Sequence, residues 1–296
     1  MNAERVATTA FVLNGGGNLG AVQVGMLQAL LEAGIKPDAV VGTSIGALNG
    51  AFLAGHSDPA GVNELAELWA SVRRRDVFPM SVGALVRGVF GHQPFLVESL
   101  GLRSLLMRAQ FGFERLEDAP VPLRVIATDL QTGDAVVLST GDTIRALLAS
   151  SAIPGVLPAV EIEGRMLIDG AVAANSPIAQ AEEFDPSIVY VLPTVPDKLL
   201  VPPGNAIEMI QRAMALTAYP AERRALAEAS SHRAVRVVPV PAEAGKLSIF
   251  DFRATRQLIR ESYELTTTWL EATGSPGENV REVPALKSVG PSEATA

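Results

Sequence analysis

Gly42-Thr43-Ser44-Ile45-Gly46 follows the short apolar run Ala39-Val40-Val41 and precedes the helix-forming run Ala47 to Ala54. A G-x-S-x-G pentapeptide between a strand and a helix is the context of a nucleophile elbow, a turn so tight that side chains at its flanks would collide. Gly42 and Gly46 are therefore the expected elbow glycines, and the Oγ of Ser44 is expected to stand clear of the sheet. The amides opening the following helix, starting with Ile45, would point towards an anion formed beside that Oγ.

A second glycine cluster, Gly15-Gly16-Gly17-Asn18-Leu19-Gly20, follows the apolar run Ala10-Phe11-Val12-Leu13. The helix after it is legible in Val24, Leu27 and Leu31, with Leu30 beside them, and Gly34 and Pro37 supply a stop. The first 55 residues thus read as strand, loop, helix, strand, elbow and helix. Two consecutive parallel strands bring both Gly-rich turns to the carboxyl edge of one sheet. One turn then carries a nucleophile and the other carries free N–H donors, the pairing that acyl transfer from an ester needs to hold its tetrahedral oxyanion.

The hexapeptide also satisfies G-x-G-x-x-G through Gly15, Gly17 and Gly20, with Asp38 lying 18 residues further on. That is a dinucleotide-binding fingerprint, and it forms the alternative reading. Against it, the second strand runs into an elbow serine, and Asp38 precedes that strand instead of standing at its far end.

Asp169 closes the apolar stretch Arg165-Met166-Leu167-Ile168-Asp169-Gly170 and is the candidate acid. The serine needs a base, and His56, His92, His232 or a carboxylate could serve. His56 closes the helix that the elbow begins, about a helix length from Ser44 at 1.5 Å per residue. His92 lies in a cap-like segment and His232 in a polar stretch, and only His232 keeps the Ser, Asp, His order of an α/β-hydrolase triad. Asp129 is a competing acid, expected to cap the turn at Thr132-Gly133-Asp134.

Four blocks together resemble the patatin-like phospholipases, lipid acyl hydrolases that use a Ser–Asp dyad without histidine. They are Gly15 to Gly20, Gly42 to Gly46, Ala149-Ser150-Ser151-Ala152-Ile153-Pro154-Gly155 with Leu157-Pro158, and Asp169-Gly170-Ala171. Their order and spacing cover residues 8 to about 180. The resemblance implies a three-layer α/β/α fold with a central, mostly parallel sheet. It implies Ser44 as nucleophile, Asp169 as general base, and Gly15, Gly16 and Gly17 as the oxyanion loop, with Ile45 adding an amide. It also implies a lipid or acyl-ester substrate and no cofactor or metal. Many members carry Arg or Lys where this chain has Leu19, a departure that also motivates a third reading, a catalytically weak lipid-binding regulator.

Composition sets the bounds. The 296 residues, 48% hydrophobic, suffice for one α/β domain over about residues 1–273. The chain has no cysteine, which excludes disulfides and thiol catalysis and is compatible with a reducing cytoplasm. Neither an apolar leader nor an uninterrupted apolar run of about 18 residues is present, so the expected location is cytoplasmic, with peripheral membrane contact. A net charge of −8 argues against nucleic acid as a partner. Within it, residues 71–113 hold Arg73, Arg74, Arg75, Arg87, Arg103 and Arg108 against Asp76 and Glu98, a local +4 interleaved with apolar residues. Such a segment caps a lipid cleft or lies at a membrane surface, or else is core with a solvated arginine face.

Downstream, strands are expected at Leu123 to Leu130, Ala135 to Leu138, Ser187 to Leu192 and Ala234 to Val240. Helices are expected over Ala206 to Ala218 and Phe252 to Leu270, followed by a disordered tail over 274–296.

Overall fold

The computed structural model describes residues 8–77, 94–196, 202–204 and 206–274. It opens with β1 (Thr9–Leu13), a 3-10 turn at Gly17–Gly20, α1 (Ala21–Glu32), β2 (Ala39–Thr43) and α2 (Ile45–Gly55). Next come α3 (Pro59–Ser71), the single turn α4 (Arg74–Val77), α5 (Leu100–Arg108), β3 (Leu123–Asp129), β4 (Ala135–Leu138) and α6 (Thr143–Ser150). The chain continues through β5 (Val160–Ile162), β6 (Arg165–Asp169), the short turns α7 (Ala171–Ala174) and α8 (Ile178–Ala181), and β7 (Ile188–Leu192). It closes with α9 (Ala206–His232), β8 (Ala234–Val237) and α10 (Thr255–Thr273). The expected tail beyond 274 and residues 78–93 of the basic segment, His92 among them, lie outside the described residues.

The strands form one sheet in the order β5-β6-β3-β2-β1-β7-β8, with β4 also pairing β3. β3, β2, β1, β7 and β8 run parallel to one another, and β4, β5 and β6 add antiparallel pairings on one side. The central strands β1, β2 and β7 are buried and largely apolar on both faces because helices cover both. Phe11 and Leu13 of β1 face a large core with α1, α2, α3, α5 and α6, whereas Ala10 and Val12 face a smaller core with α8 and α9. This is the expected three-layer α/β/α arrangement.

One buried polar network ties that larger core to the edge where the Gly-rich turns emerge. The side-chain amide of Gln23 in α1 donates to the carbonyls of Asn14 (2.8 Å) and Leu192 (2.9 Å). Asn49 in α2 donates to Gln23 Oε1 (2.9 Å) and to the Gly20 carbonyl (3.0 Å), and the Trp69 indole of α3 donates to Asn49 Oδ1 (2.9 Å). These groups are buried and mutually satisfied, so they fix three helices against the ends of β1 and β7 without leaving a polar atom stranded.

The helix expected to stop at Ala218 instead runs on to His232, through Pro220. Proline removes one amide donor and crowds the preceding turn. The helix is held nonetheless by packing, since Ala218 and Ala229 are buried and Ala225 and Leu226 sit against the smaller core. His232 consequently ends a helix and pairs with Glu182 at 3.0 Å, away from the elbow.

Candidate active site

The sheet topology explains how the elbow and the acid meet. β2 pairs with β3 so that Thr43 lies opposite Ile126, and β3 extends beyond that point. β6 pairs antiparallel with this extension, Ala127 opposite Asp169, so the last residue of β6 ends level with the turn at Ser44. Ser44 Oγ donates to Asp169 Oδ2 at 2.7 Å, and the two residues are 7% and 5% exposed.

The elbow itself has the strained backbone its glycines imply. Ser44 adopts φ 53° and ψ −122°, a region a side-chain-bearing residue enters only when the surroundings enforce it. A Cβ on Gly42 would fall 2.5 Å from the Gly46 carbonyl oxygen, and one on Gly46 would fall 2.2 Å from that of Leu13. The serine amide is held by Ser150 Oγ at 2.8 Å, and that hydroxyl in turn donates to the Ile126 carbonyl. Ser150 thus satisfies a buried donor at the strained residue.

Asp169 is fixed on every side. Its amide donates to Ala152 O (3.0 Å), its carbonyl accepts from Thr128 Oγ1 (2.9 Å), and its Oδ1 accepts from the Ala171 amide (2.8 Å). Burial raises its carboxyl from the ordinary 3.8 to about 6, with the bonds from Ala171 and Ser44 opposing that rise. A carboxylate so placed is a far better proton acceptor near neutrality than a solvated aspartate.

The Gly-rich loop lies on the other side of Ser44. The Gly15 amide, expected to be an oxyanion donor, instead donates to the Asn175 carbonyl at 3.2 Å. Among the described residues no acceptor faces the amides of Gly16, Gly17 or Ile45, which leaves these three as available donors. Leu19 is buried and lines the cleft beside them.

Ser44 sits between two cavities. One of about 60 Å³ is walled by Ile45, Leu48, Trp69, Val77, Leu102 and Leu105, among others. The second, of about 380 Å³, opens over Gly15 to Gly17, Asp169, Asn175 and Thr194 and is rimmed by Arg212 and Lys246. The described part of the basic segment divides accordingly. Val77, Leu102 and Leu105 wall the apolar cavity, while Arg73, Arg74, Arg75, Arg103 and Arg108 are exposed.

The other sequence candidates lie apart from this geometry. His56 stacks on Phe52 with ring centres 4.6 Å apart, at the far end of α2. Asp129 accepts from the amides of Gln131 (2.8 Å) and Thr132 (3.3 Å), capping its turn as expected. Asp38 accepts from the Thr9 amide at 2.7 Å, at the amino edge of β1 and β2, opposite the edge that carries the glycine loop. Asn175, Thr194 and the clamping role of Ser150 had no local signal, because each acts on a residue more than a hundred positions away. Among the described residues, no helix is long and apolar enough to cross a membrane.

Residues 11–182 match the family described as patatin-like phospholipase. The chain is 30% identical over 178 residues to an uncharacterised NTE family protein of Mycobacterium tuberculosis strain CDC 1551, a match covering 59% of this chain and 28% of that protein. It is 32% identical over 174 residues to an uncharacterised NTE family protein of Mycobacterium bovis, covering 57% and 44% of the two. With the rat patatin-like phospholipase domain-containing protein 7 it shares 29% over 188 residues, 62% of this chain and 13% of that protein. The match therefore spans less than half the length of each of these relatives. Among solved structures, human GIVD cytosolic phospholipase A2 in complex with methyl gamma-linolenyl fluorophosphonate aligns with a TM-score of 0.49 at 13% identity, over 90% of this chain and 58% of that one. VipD from Legionella pneumophila aligns with a TM-score of 0.42 at 14% identity, over 87% and 67%. The family match covers more than half of the 296 residues, and the chain belongs to the patatin-like phospholipase family.

Proposed function

We propose that the protein is a serine lipid acyl hydrolase that cleaves carboxylic esters through a Ser44–Asp169 dyad. The observation that carries this reading is the buried 2.7 Å hydrogen bond from Ser44 Oγ to Asp169 Oδ2, set beside backbone amides that have no other acceptor among the described residues. In the first step Asp169 Oδ2 takes the serine proton as Oγ bonds to the ester carbonyl carbon. The carbonyl oxygen gathers negative charge, held by the amides of Gly16, Gly17 and Ile45. Collapse breaks the ester C–O bond, and Asp169 returns its proton to the departing alcohol. Water then gives its proton to Asp169 and attacks the acyl-enzyme, and Ser44 leaves with that proton as the free acid is released.

The raised carboxyl predicts the pH profile. Asp169 acts only when ionised, so kcat/KM on a neutral ester should fall as pH drops through about 6 and be level above about 7. An unperturbed histidine titrates nearby, at about 6.5. The acid limb should therefore be unchanged in His56→Ala and His232→Ala, and a limb that vanished in either variant would assign the base to that imidazole.

The apolar cavity supports an acyl chain as its occupant, with the alcohol portion in the wider cleft. By volume the cavity takes roughly four to six water-sized groups. Leu105→Phe narrows it. Each methylene denied burial forfeits about 0.8 kcal/mol, so blocking two should lower kcat/KM on a p-nitrophenyl hexanoate by about tenfold while the acetate ester is hardly affected. An equal change on both esters would place the acyl chain elsewhere.

A further inference from the structure

Two of the three available amides belong to adjacent peptide units of the glycine loop, and the two units are held differently. The amide of a peptide unit points opposite to its carbonyl, because the unit is planar and trans. Fixing the Gly16 carbonyl therefore aims the Gly17 N–H, and fixing the Gly15 carbonyl aims the Gly16 N–H. The Gly16 carbonyl accepts from the Leu19 amide at 3.2 Å, a bond supplied by the 3-10 turn that follows. The Gly15 carbonyl has no such backbone partner among the described residues. It accepts from the hydroxyl of Thr194 at 2.6 Å.

Thr194 comes from beyond the end of β7, on the opposite side of β1 from the elbow strand, and is 1% exposed. It lies directly beneath the loop. Gly16 has φ 156°, and a Cβ there would fall 2.1 Å from Thr194 Oγ1, so the hydroxyl occupies the room that a side chain would need. A peptide unit between two glycines is the easiest kind to flip, since neither flanking residue has a Cβ to restrict the rotation. The loop thus combines a backbone free to turn with one buried side-chain bond that stops it.

We propose that Thr194 is a positioning residue. Its hydroxyl locks the Gly15–Gly16 peptide so that the Gly16 N–H faces the oxyanion formed beside Ser44. This inference rests on the reading of Ser44 as nucleophile. Threonine suits the role because branching at Cβ restricts χ1 and keeps the hydroxyl on one heading. Without the hydroxyl, the peptide turns over in a fraction of molecules and the oxyanion loses a donor.

Removing one oxyanion donor elsewhere lowers kcat by about a hundredfold or more. Thr194→Val keeps the shape and deletes the hydroxyl, so kcat should fall by about 10- to 100-fold on acetate and hexanoate esters alike, with KM changed less than about twofold. The rate of fluorophosphonate labelling should fall by a similar factor, since the phosphonyl oxygen uses the same amides. Thr194→Ser restores the hydroxyl and should recover most of the lost rate. Should the valine variant fail to fold by thermal melting, Thr194→Ala gives the same readout without a second methyl against the loop.

Ser44→Ala run beside these variants separates the positioning role from the nucleophile. If Ser44→Ala is dead while Thr194→Val and Thr194→Ala turn over at the wild-type kcat, the positioning role is overturned and the nucleophile stands. A raised KM with unchanged kcat, or a serine variant as slow as the valine one, likewise overturns the role of the hydroxyl. An active Ser44→Ala overturns the reading of Ser44 as nucleophile, on which this inference rests.

Discussion

Ser44→Ala is expected to lower turnover of p-nitrophenyl butyrate by more than about a hundredfold while leaving the thermal melt unchanged. The change deletes one oxygen, whose hydrogen bond runs to Asp169, and it leaves the amide bond to Ser150 in place. The strained φ of 53° is a property of the turn and persists with alanine. Loss of a nucleophile removes the covalent path altogether, so little catalysis should remain beyond what the amides give an attacking water. Retention of more than about a hundredth of the wild-type rate would mean that another group attacks the ester.

Asp169→Asn is expected to be nearly as damaging, because members of one catalytic unit fail together. His56→Ala and His232→Ala should each retain most activity, since one ring stacks on Phe52 and the other pairs with Glu182 far from the elbow. On stability, Asp169→Asn should act in the opposite direction. The folded carboxyl lies at about 6, against an ordinary 3.8, so the folded state holds its proton more tightly than the unfolded chain. Its contribution to stability is complete below about pH 4 and is lost as pH rises through about 6. Above that, the buried ionised group disfavours the fold by about 1–3 kcal/mol, the upper bound being the rise from 3.8 to about 6 at about 1.4 kcal/mol per pH unit. Asparagine does not titrate and keeps an acceptor for the Ala171 amide. Asp169→Asn should therefore melt higher than wild type at pH 8, with the gap closing towards pH 4.5. A gap that is constant with pH would show that the carboxyl is not raised by burial.

Much of the fold was legible because its decisive elements are local. A strand, a glycine turn and a helix, twice in succession, need only apolar periodicity and the sterics of Gly42 and Gly46 to be read. The acid at the end of β6 was legible as a position, but not its route to Ser44. That route depends on β6 running antiparallel against the overhang of β3. The loop shows the same limit. Three glycines mark a place where backbone donors come free, yet only the tertiary structure reveals that Asn175 takes the Gly15 amide and that Thr194 holds the Gly15 carbonyl. Helix α9 passing through Pro220 is a further case: a local stop signal was outweighed by burial of Ala218 and Ala229 on either side of it.

That Ser44 is a nucleophile activated by Asp169 is tested most directly by mapping a fluorophosphonate adduct by mass spectrometry at several pH values. A single adduct is expected on Ser44, with none in Ser44→Ala. The labelling rate should rise as pH passes through about 6, and labelling should slow by more than about a hundredfold in Asp169→Asn. An adduct on another residue, a folded wild-type protein that takes no label, or equal labelling of wild type and Asp169→Asn would contradict it.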